Sequence, residues 1–180
     1  MVEIKFCGRG GQGVVLASQI LAEVFFRLNL YPQCYSLFGG ERKGAPVTGF
    51  LRVDEKKIYL KCEIKKPDHL IYLSQDLVNI SEIESILKPE GMVLINTPLD
   101  VTRYEPLRKF RLVLIDAFQI AEEQGLGSTI NTAILGAYAR ASNQLPLDIL
   151  EAVVHDLVPA KADANVRAVK QAFQMKKIYP

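Results

Sequence analysis

The chain has 180 residues, 49% of them hydrophobic and 23% charged, with 22 Lys and Arg against 20 Asp and Glu and a net charge of +2. That is enough for one domain with a real core, residues 1–180 taken together. A nucleic-acid binder is set aside, because the basic residues are scattered and form only short pairs such as Lys65-Lys66 and Lys176-Lys177.

In chain order, VEIKFC (2–7) alternates and ends at glycine, as a strand does. Residues 12–28 are densely apolar and free of proline, which predicts a helix buried on most of its surface. YPQCYSLF (31–38) reads as a second strand, giving a βαβ start. VTGFLRV (47–53) and KIYLKCEI (57–64) read as two strands joined by the polar turn Asp54-Glu55-Lys56, hence an inserted β-hairpin. HLIYLS (69–74), MVLINT (92–97) and RLVLIDA (111–117) are short apolar runs, with one or two helical turns at 75–87 and a turn at Pro89-Glu90-Gly91. Such runs alternating with helices predict a mostly parallel sheet covered on both faces.

The last third reads as helical: 130–141, then 145–158 opening with Pro146 near its first turn, then a helix from Lys161. On that last helix Ala162, Val166, Val169 and Phe173 form one apolar stripe, with Lys161, Arg167, Lys170 and Lys176 on other faces. The expected fold class is α/β, three-layer, with a mostly parallel sheet starting from a βαβ unit, a β-hairpin insertion and a helical C-terminal portion.

No apolar stretch reaches the roughly 18 residues of a membrane span. The start MVEIKFCG lacks the regions of a secretory signal, so a cytoplasmic location is the expectation. Cys7, Cys34 and Cys62 are odd in number and include no C-x-x-C pair, which argues against a disulfide framework and against a four-cysteine iron–sulfur or zinc site. His69 and His155 lack nearby carboxylate or cysteine companions in sequence. These cysteines and histidines are read as buried or half-buried structural residues. No catalytic residue and no metal ligand is assigned.

Two glycine-rich stretches carry the chemistry. Gly8, Gly10 and Gly13 satisfy G-x-G-x-x-G between a strand and a helix, where glycines permit close approach and a helix start offers N–H groups to a phosphate. Arg9 could add charge. A dinucleotide fingerprint also needs an acidic residue at the end of the second strand. That strand has none near Tyr35-Ser36-Leu37, although NADP could use Arg42 or Lys43 for its 2′-phosphate. In the second stretch, Glu41, Arg42 and Lys43 stand between Gly39-Gly40 and Gly44, and Ala45-Pro46 stiffens the exit. If both loops share one sheet edge, Arg9, Arg42 and Lys43 would frame an anion site. A phosphate-bearing ligand, tight strand–helix packing and a subunit contact all remain open from these residues alone.

Four blocks together resemble one family. They are F-C-G-R-G-G-Q-G-V (6–14), G-G-E-R-K-G-A-P-V-T-G-F-L-R-V (39–53), N-T-A-I-L-G-A (131–137) and D-A-N-V-R-A-V (163–169). They are similar to the gamma subunit of 2-oxoacid:ferredoxin oxidoreductases, the pyruvate, 2-oxoglutarate and ketoisovalerate oxidoreductases. Members of that family often carry two arginines where this chain has Arg42-Lys43.

The resemblance implies a complex that decarboxylates a 2-oxoacid on thiamine diphosphate, passes electrons through iron–sulfur clusters to ferredoxin and releases an acyl-CoA. It places the thiamine diphosphate and the clusters mainly on other subunits or domains, and the partners it implies are alpha, beta and a ferredoxin-like delta subunit. The isolated chain is then expected to bind none of those cofactors, to be inactive alone, and to keep a face for its partners. The resemblance associates this subunit with assembly and coenzyme A access. CoA carries a 3′-phosphate and a pyrophosphate, so its expected contacts are Gly8, Arg9, Gly10, Gly11, Gln12 and Gly13 with Glu41, Arg42, Lys43 and Gly44. Two rival readings are a stand-alone NADP- or flavin-binding oxidoreductase domain and a pure assembly scaffold. The choice of 2-oxoacid would lie with the thiamine-bearing subunits.

Overall fold

The computed structural model describes residues 1–40, 44–175 and 177–179. Its strands are β1 (Val2–Arg9), β2 (Tyr31–Phe38), β3 (Pro46–Asp54), β4 (His69–Tyr72), β5 (Met92–Asn96), β6 (Arg111–Ile115) and β7 (Ile178–Tyr179). Its helices are α1 (Val14–Arg27), α2 (Ile80–Ile86), α3 (Ala117–Glu123), α4 (Asn131–Ser142), α5 (Leu147–Leu157) and α6 (Ala162–Phe173). Among the described residues the strands form one sheet in the order β2-β3-β1-β4-β5-β6-β7. β1, β4, β5 and β6 pair in parallel, whereas β3 runs antiparallel to both β1 and β2, and β7 antiparallel to β6.

Alternation along each strand divides the core between the two faces. Ile71, Leu94, Val113 and Ile115 pack on the face covered by α1 and the C-terminal helices. Leu70, Tyr72, Val93, Ile95, Leu112 and Leu114 pack on the other, with α2 and a 3-10 stretch at Val101–Lys109. The α/β three-layer expectation therefore holds, with the sheet mostly parallel in strand direction.

The N-terminal part differs from the sequence reading in its pairing. β1 and β2 do run the same way, but β3 lies between them. The β-hairpin is β2–β3, with Phe38 opposite Val47, and not 47–53 with 57–64. β1 and β2 occupy both edges of β3, so residues 57–64 cannot pair with it as the second arm of a hairpin. They are not a strand. Tyr59 to Glu63 stand exposed while Ile64 is buried. The segment is tied down where Tyr35 OH donates to the Cys62 carbonyl, 2.9 Å, and where Arg52 Nη2 lies 3.8 Å from Cys62 Sγ.

Three further differences have local causes. Cys34 lies on the edge strand and Cys62 on that crossing segment, so both are exposed rather than buried. Residues 117–123 form a short helix, started by the Asp116 side chain accepting from Gln119 N at 3.0 Å. On α6, only Val169 of the expected stripe is fully buried, beside Ala164, Asn165, Ala168 and Ala172. Small residues face inward there because α4 comes very close: a Cβ on Gly136 would stand 2.3 Å from the Val169 carbonyl oxygen. Thr132 Oγ1 donates to Asn165 Oδ1 at 2.8 Å across the same contact. The 131–137 and 163–169 blocks are thus the two sides of one helix crossing.

Candidate functional site

Open α/β sheets bind ligands at the carboxyl ends of their parallel strands. Here that edge holds the 8–13 turn after β1, Ser74 and Asp76 after β4, Asn96 and Thr97 at and after β5, and Asp116 after β6. Asn96 braces it, donating from Nδ2 to Leu73 O at 3.0 Å and accepting from Ala117 N at 2.9 Å. Thr97 Oγ1 donates to Gln75 Oε1 at 2.6 Å.

The glycine turn sits between β1 and α1. Gly13 has φ +78°, a left-handed conformation that costs a residue with a Cβ, and no side chain caps the helix. The amides of Gly11, Gly13, Val14, Val15 and Leu16 have no hydrogen-bond acceptor among the described residues. They lie on a shallow depression of about 390 Å³ that Gln19, Phe38 and Val47 also line. A larger depression, about 540 Å³, is lined by Met1, Phe25, Leu30 and Asp54 and lies at the amino end of β1, away from this edge.

The second loop meets the first. Gly10 N donates to Ala45 O at 2.9 Å, and Arg9 Nη1 donates to Gly44 O at 2.9 Å. Gly39 N closes the hairpin on Pro46 O at 2.9 Å. Gly8, Arg9, Gly10, Gly11, Gln12, Gly13 and Gly44 are therefore gathered at one place. Glu41, Arg42 and Lys43 lie outside the described residues.

Two side chains in the turn are already committed. Arg9 donates from Nε to Asp76 Oδ2 at 2.8 Å and from Nη2 to the same oxygen. Gln12 accepts from Arg9 N at 2.8 Å and donates to Ser74 Oγ at 3.4 Å. The Arg9 guanidinium, and then the Ser74 hydroxyl, hold the Asp76 carboxyl below the usual carboxylate range. Asp76 is ionised at neutral pH and matches the Arg9 charge, so the turn offers an incoming anion its amides rather than a spare guanidinium. Asp76 escaped the sequence reading, although its place just after a parallel strand is the signal that finds such residues.

Burial argues against proton transfer or nucleophilic attack by Cys7 and His69. Desolvation pushes the Cys7 thiol up to about 11 and the His69 imidazole down to about 4. His69 lies at the amino end of β4 with Nδ1 2.9 Å from Tyr138 OH. Among the described residues no three His, Cys, Asp or Glu side chains converge as a metal site. No helix among them is long and apolar enough to cross a membrane.

Similar proteins agree on one family. Residues 3–175 match the family described as pyruvate ferredoxin/flavodoxin oxidoreductase. The pyruvate/ketoisovalerate oxidoreductases common subunit gamma of Pyrococcus abyssi is 40% identical over 99% of each chain. The crystal structure of pyruvate oxidoreductase subunit PORC from Thermotoga maritima superposes with a TM-score of 0.81 at 28% identity, covering 98% of this chain and 96% of that one. A 2-oxoglutarate:ferredoxin oxidoreductase from Magnetococcus marinus, with 2-oxoglutarate, coenzyme A and succinyl-CoA bound, contains the same fold in 32% of its longer chain, at a TM-score of 0.78, 20% identity and 98% coverage of this chain. With nearly its whole length matched, the chain belongs to the pyruvate ferredoxin/flavodoxin oxidoreductase family.

Proposed function

We propose that this chain is the gamma subunit of a cytoplasmic, thiamine diphosphate-dependent 2-oxoacid:ferredoxin oxidoreductase, a single domain that joins alpha, beta and ferredoxin-like delta subunits. The complex converts a 2-oxoacid and CoA to an acyl-CoA and reduced ferredoxin. This subunit contributes assembly and the approach of CoA, while thiamine diphosphate and the iron–sulfur clusters reside on its partners. The full-length likeness to a gamma subunit supports this reading over a stand-alone NADP- or flavin-binding domain.

The observation that carries the CoA part is the junction of the two loops, Gly10 N on Ala45 O and Arg9 Nη1 on Gly44 O. It brings turn amides that have no acceptor among the described residues against Gly44 and Ala45, which follow Arg42 and Lys43 in the sequence. Backbone N–H groups and cationic side chains are what a phosphate-bearing ligand needs. The site comprises Gly8 to Gly13 with Glu41, Arg42, Lys43 and Gly44.

The test is reconstitution. The complex is assembled with and without this chain, and acyl-CoA formation is followed against CoA and 2-oxoacid concentration. The expected result is no activity from the chain alone and CoA-dependent turnover only with it present. Full CoA-dependent turnover by the partners without this chain would overturn the assignment.

A further inference from the structure

Four residues close a hydrogen-bond ring that begins and ends on Arg9. Arg9 N donates to Gln12 Oε1, Gln12 Nε2 donates to Ser74 Oγ, Ser74 Oγ donates to Asp76 Oδ1, and Asp76 Oδ2 accepts from Arg9 Nε and Nη2. The ring joins the end of β1 to the segment after β4. One edge of the guanidinium is left over, and its Nη1 reaches Gly44 O at 2.9 Å. Arginine presents its donors in a rigid planar fork, so fixing one edge fixes where the other points. Asp76 fixes the first edge.

We propose that Asp76 is a positioning residue: through Arg9 it sets the root of the 39–45 loop against the glycine turn. The role rests on the reading that this loop and turn receive CoA. It assigns Arg9 to holding the loop rather than to pairing with a phosphate.

The pair is exposed, Arg9 by 39% and Asp76 by 48%. Exposed ion pairs add little to stability, so the contribution of Asp76 lies in geometry rather than in the fold's free energy. Serine and glutamine complete the arrangement because each can donate and accept at once. Ser74 orients Asp76, and Gln12 ties the turn's backbone to Ser74. The loop root has a second tie, Gly10 N to Ala45 O at 2.9 Å. Losing Asp76 therefore loosens the loop without detaching it.

The experiment uses the purified complex carrying Asp76→Ala or Arg9→Lys in this subunit. A lysine keeps the charge but lacks the rigid fork whose two edges meet Asp76 and Gly44 O. Two readings are taken: hydrogen–deuterium exchange over residues 8–13 and 39–47, and the Michaelis constants for CoA and the 2-oxoacid. Both variants are expected to speed exchange over 39–47 and to raise the CoA constant about fivefold. The 2-oxoacid constant and kcat stay unchanged, and Arg9→Ala adds nothing on top of Asp76→Ala. Unchanged exchange over 39–47 overturns the proposal. So does a lowered CoA constant in Asp76→Ala, which would mean that a released Arg9 binds phosphate. Faster exchange with an unchanged CoA constant upholds the positioning role and removes CoA from this edge. Should Asp76→Ala fail to enter the complex, Arg9→Lys decides by the same two readings.

Discussion

The carboxamide of Asn131 fills the space beside Gly13: a Cβ at position 13 would lie 2.6 Å from Asn131 Nδ2 and 2.9 Å from its Cγ. Asn131 opens α4 and is 1% exposed, so it has no room to swing away. Gly13 also has φ +78°. Gly13→Ala therefore meets backbone strain and a clash together, and it should cost about 2 kcal/mol or more. Urea denaturation of the full chain measures this. Pairing the change with Asn131→Ala should recover part of the loss, because the double variant removes the clash and keeps only the strain. A loss that is the same with and without Asn131 would show that the contact is not what excludes a side chain here.

Arg52 is buried to 1% exposure near the end of β3, so its charge needs company. It donates from Nε to Glu3 Oε1 at 3.0 Å and from Nη1 to Gln33 Oε1 at 3.4 Å. Glu3 in turn accepts from Lys88 Nζ at 3.3 Å. Removing Glu3 strands the guanidinium, and Glu3→Leu should destabilise by about 3 kcal/mol. Replacing both, Glu3→Leu with Arg52→Met, should cost less than Glu3→Leu alone, since no unpaired charge is left inside. A double variant worse than the single one in denaturant midpoint would show that packing of the arginine stem, not its charge, dominates.

The contrast between what was readable and what was not follows from which interactions are local. The strands at 2–7, 31–38 and 92–97 and the long helices are written in short apolar periods. The glycine turn could be placed because it interrupts one of those periods. Residues 57–64 also carry a strand-like pattern, yet they form no hairpin with β3, because β1 and β2 already occupy both of its edges. That competition is non-local and leaves no mark in the segment itself. The α6 stripe misled for a related reason. The spacing of Ala162, Val166, Val169 and Phe173 marks one face, while α4, whose Gly136 lies against Val169 and Ala172, buries the face that carries Ala164, Ala168 and Ala172. At the site, both loops were found from their glycines. The partnership of Arg9 with Asp76 spans 67 residues and depends on β4 lying beside β1.

His69 makes stability depend on pH. Burial lowers its pKa to about 4 from an ordinary 6.5. The unfolded chain therefore binds a proton at this residue between pH 6.5 and 4 while the folded chain does not. Its contribution is fully present above the unfolded value and is lost as pH falls towards the folded one, by up to about 3 kcal/mol. Denaturant midpoints measured from pH 7.5 down to about 4.5 should fall in the native chain and fall less steeply in His69→Asn. Equal slopes in the two would assign the acid sensitivity to other groups.

The sharpest test of the CoA reading lies in the charges of the 39–44 loop. In the sequence Arg42 and Lys43 lie between glycines and just before Gly44, whose carbonyl Arg9 holds. A guanidinium–phosphate contact can be bidentate and charge-assisted, so it orients the ligand as well as attracting it. Losing such contacts at a partly solvated site should cost roughly 1.5–3 kcal/mol, a weakening of about tenfold to a hundredfold. Arg42→Ala with Lys43→Ala should raise the Michaelis constant for CoA by that factor in the reconstituted complex. The 2-oxoacid constant should not move if, as proposed, that substrate reacts on thiamine diphosphate held by the partners. Added salt should weaken CoA binding in the native complex and do so less in the double variant, since fewer charges remain to be screened. A double variant that assembles normally and keeps both its CoA constant and its salt dependence would make the loop an interface element, and CoA would have to enter elsewhere.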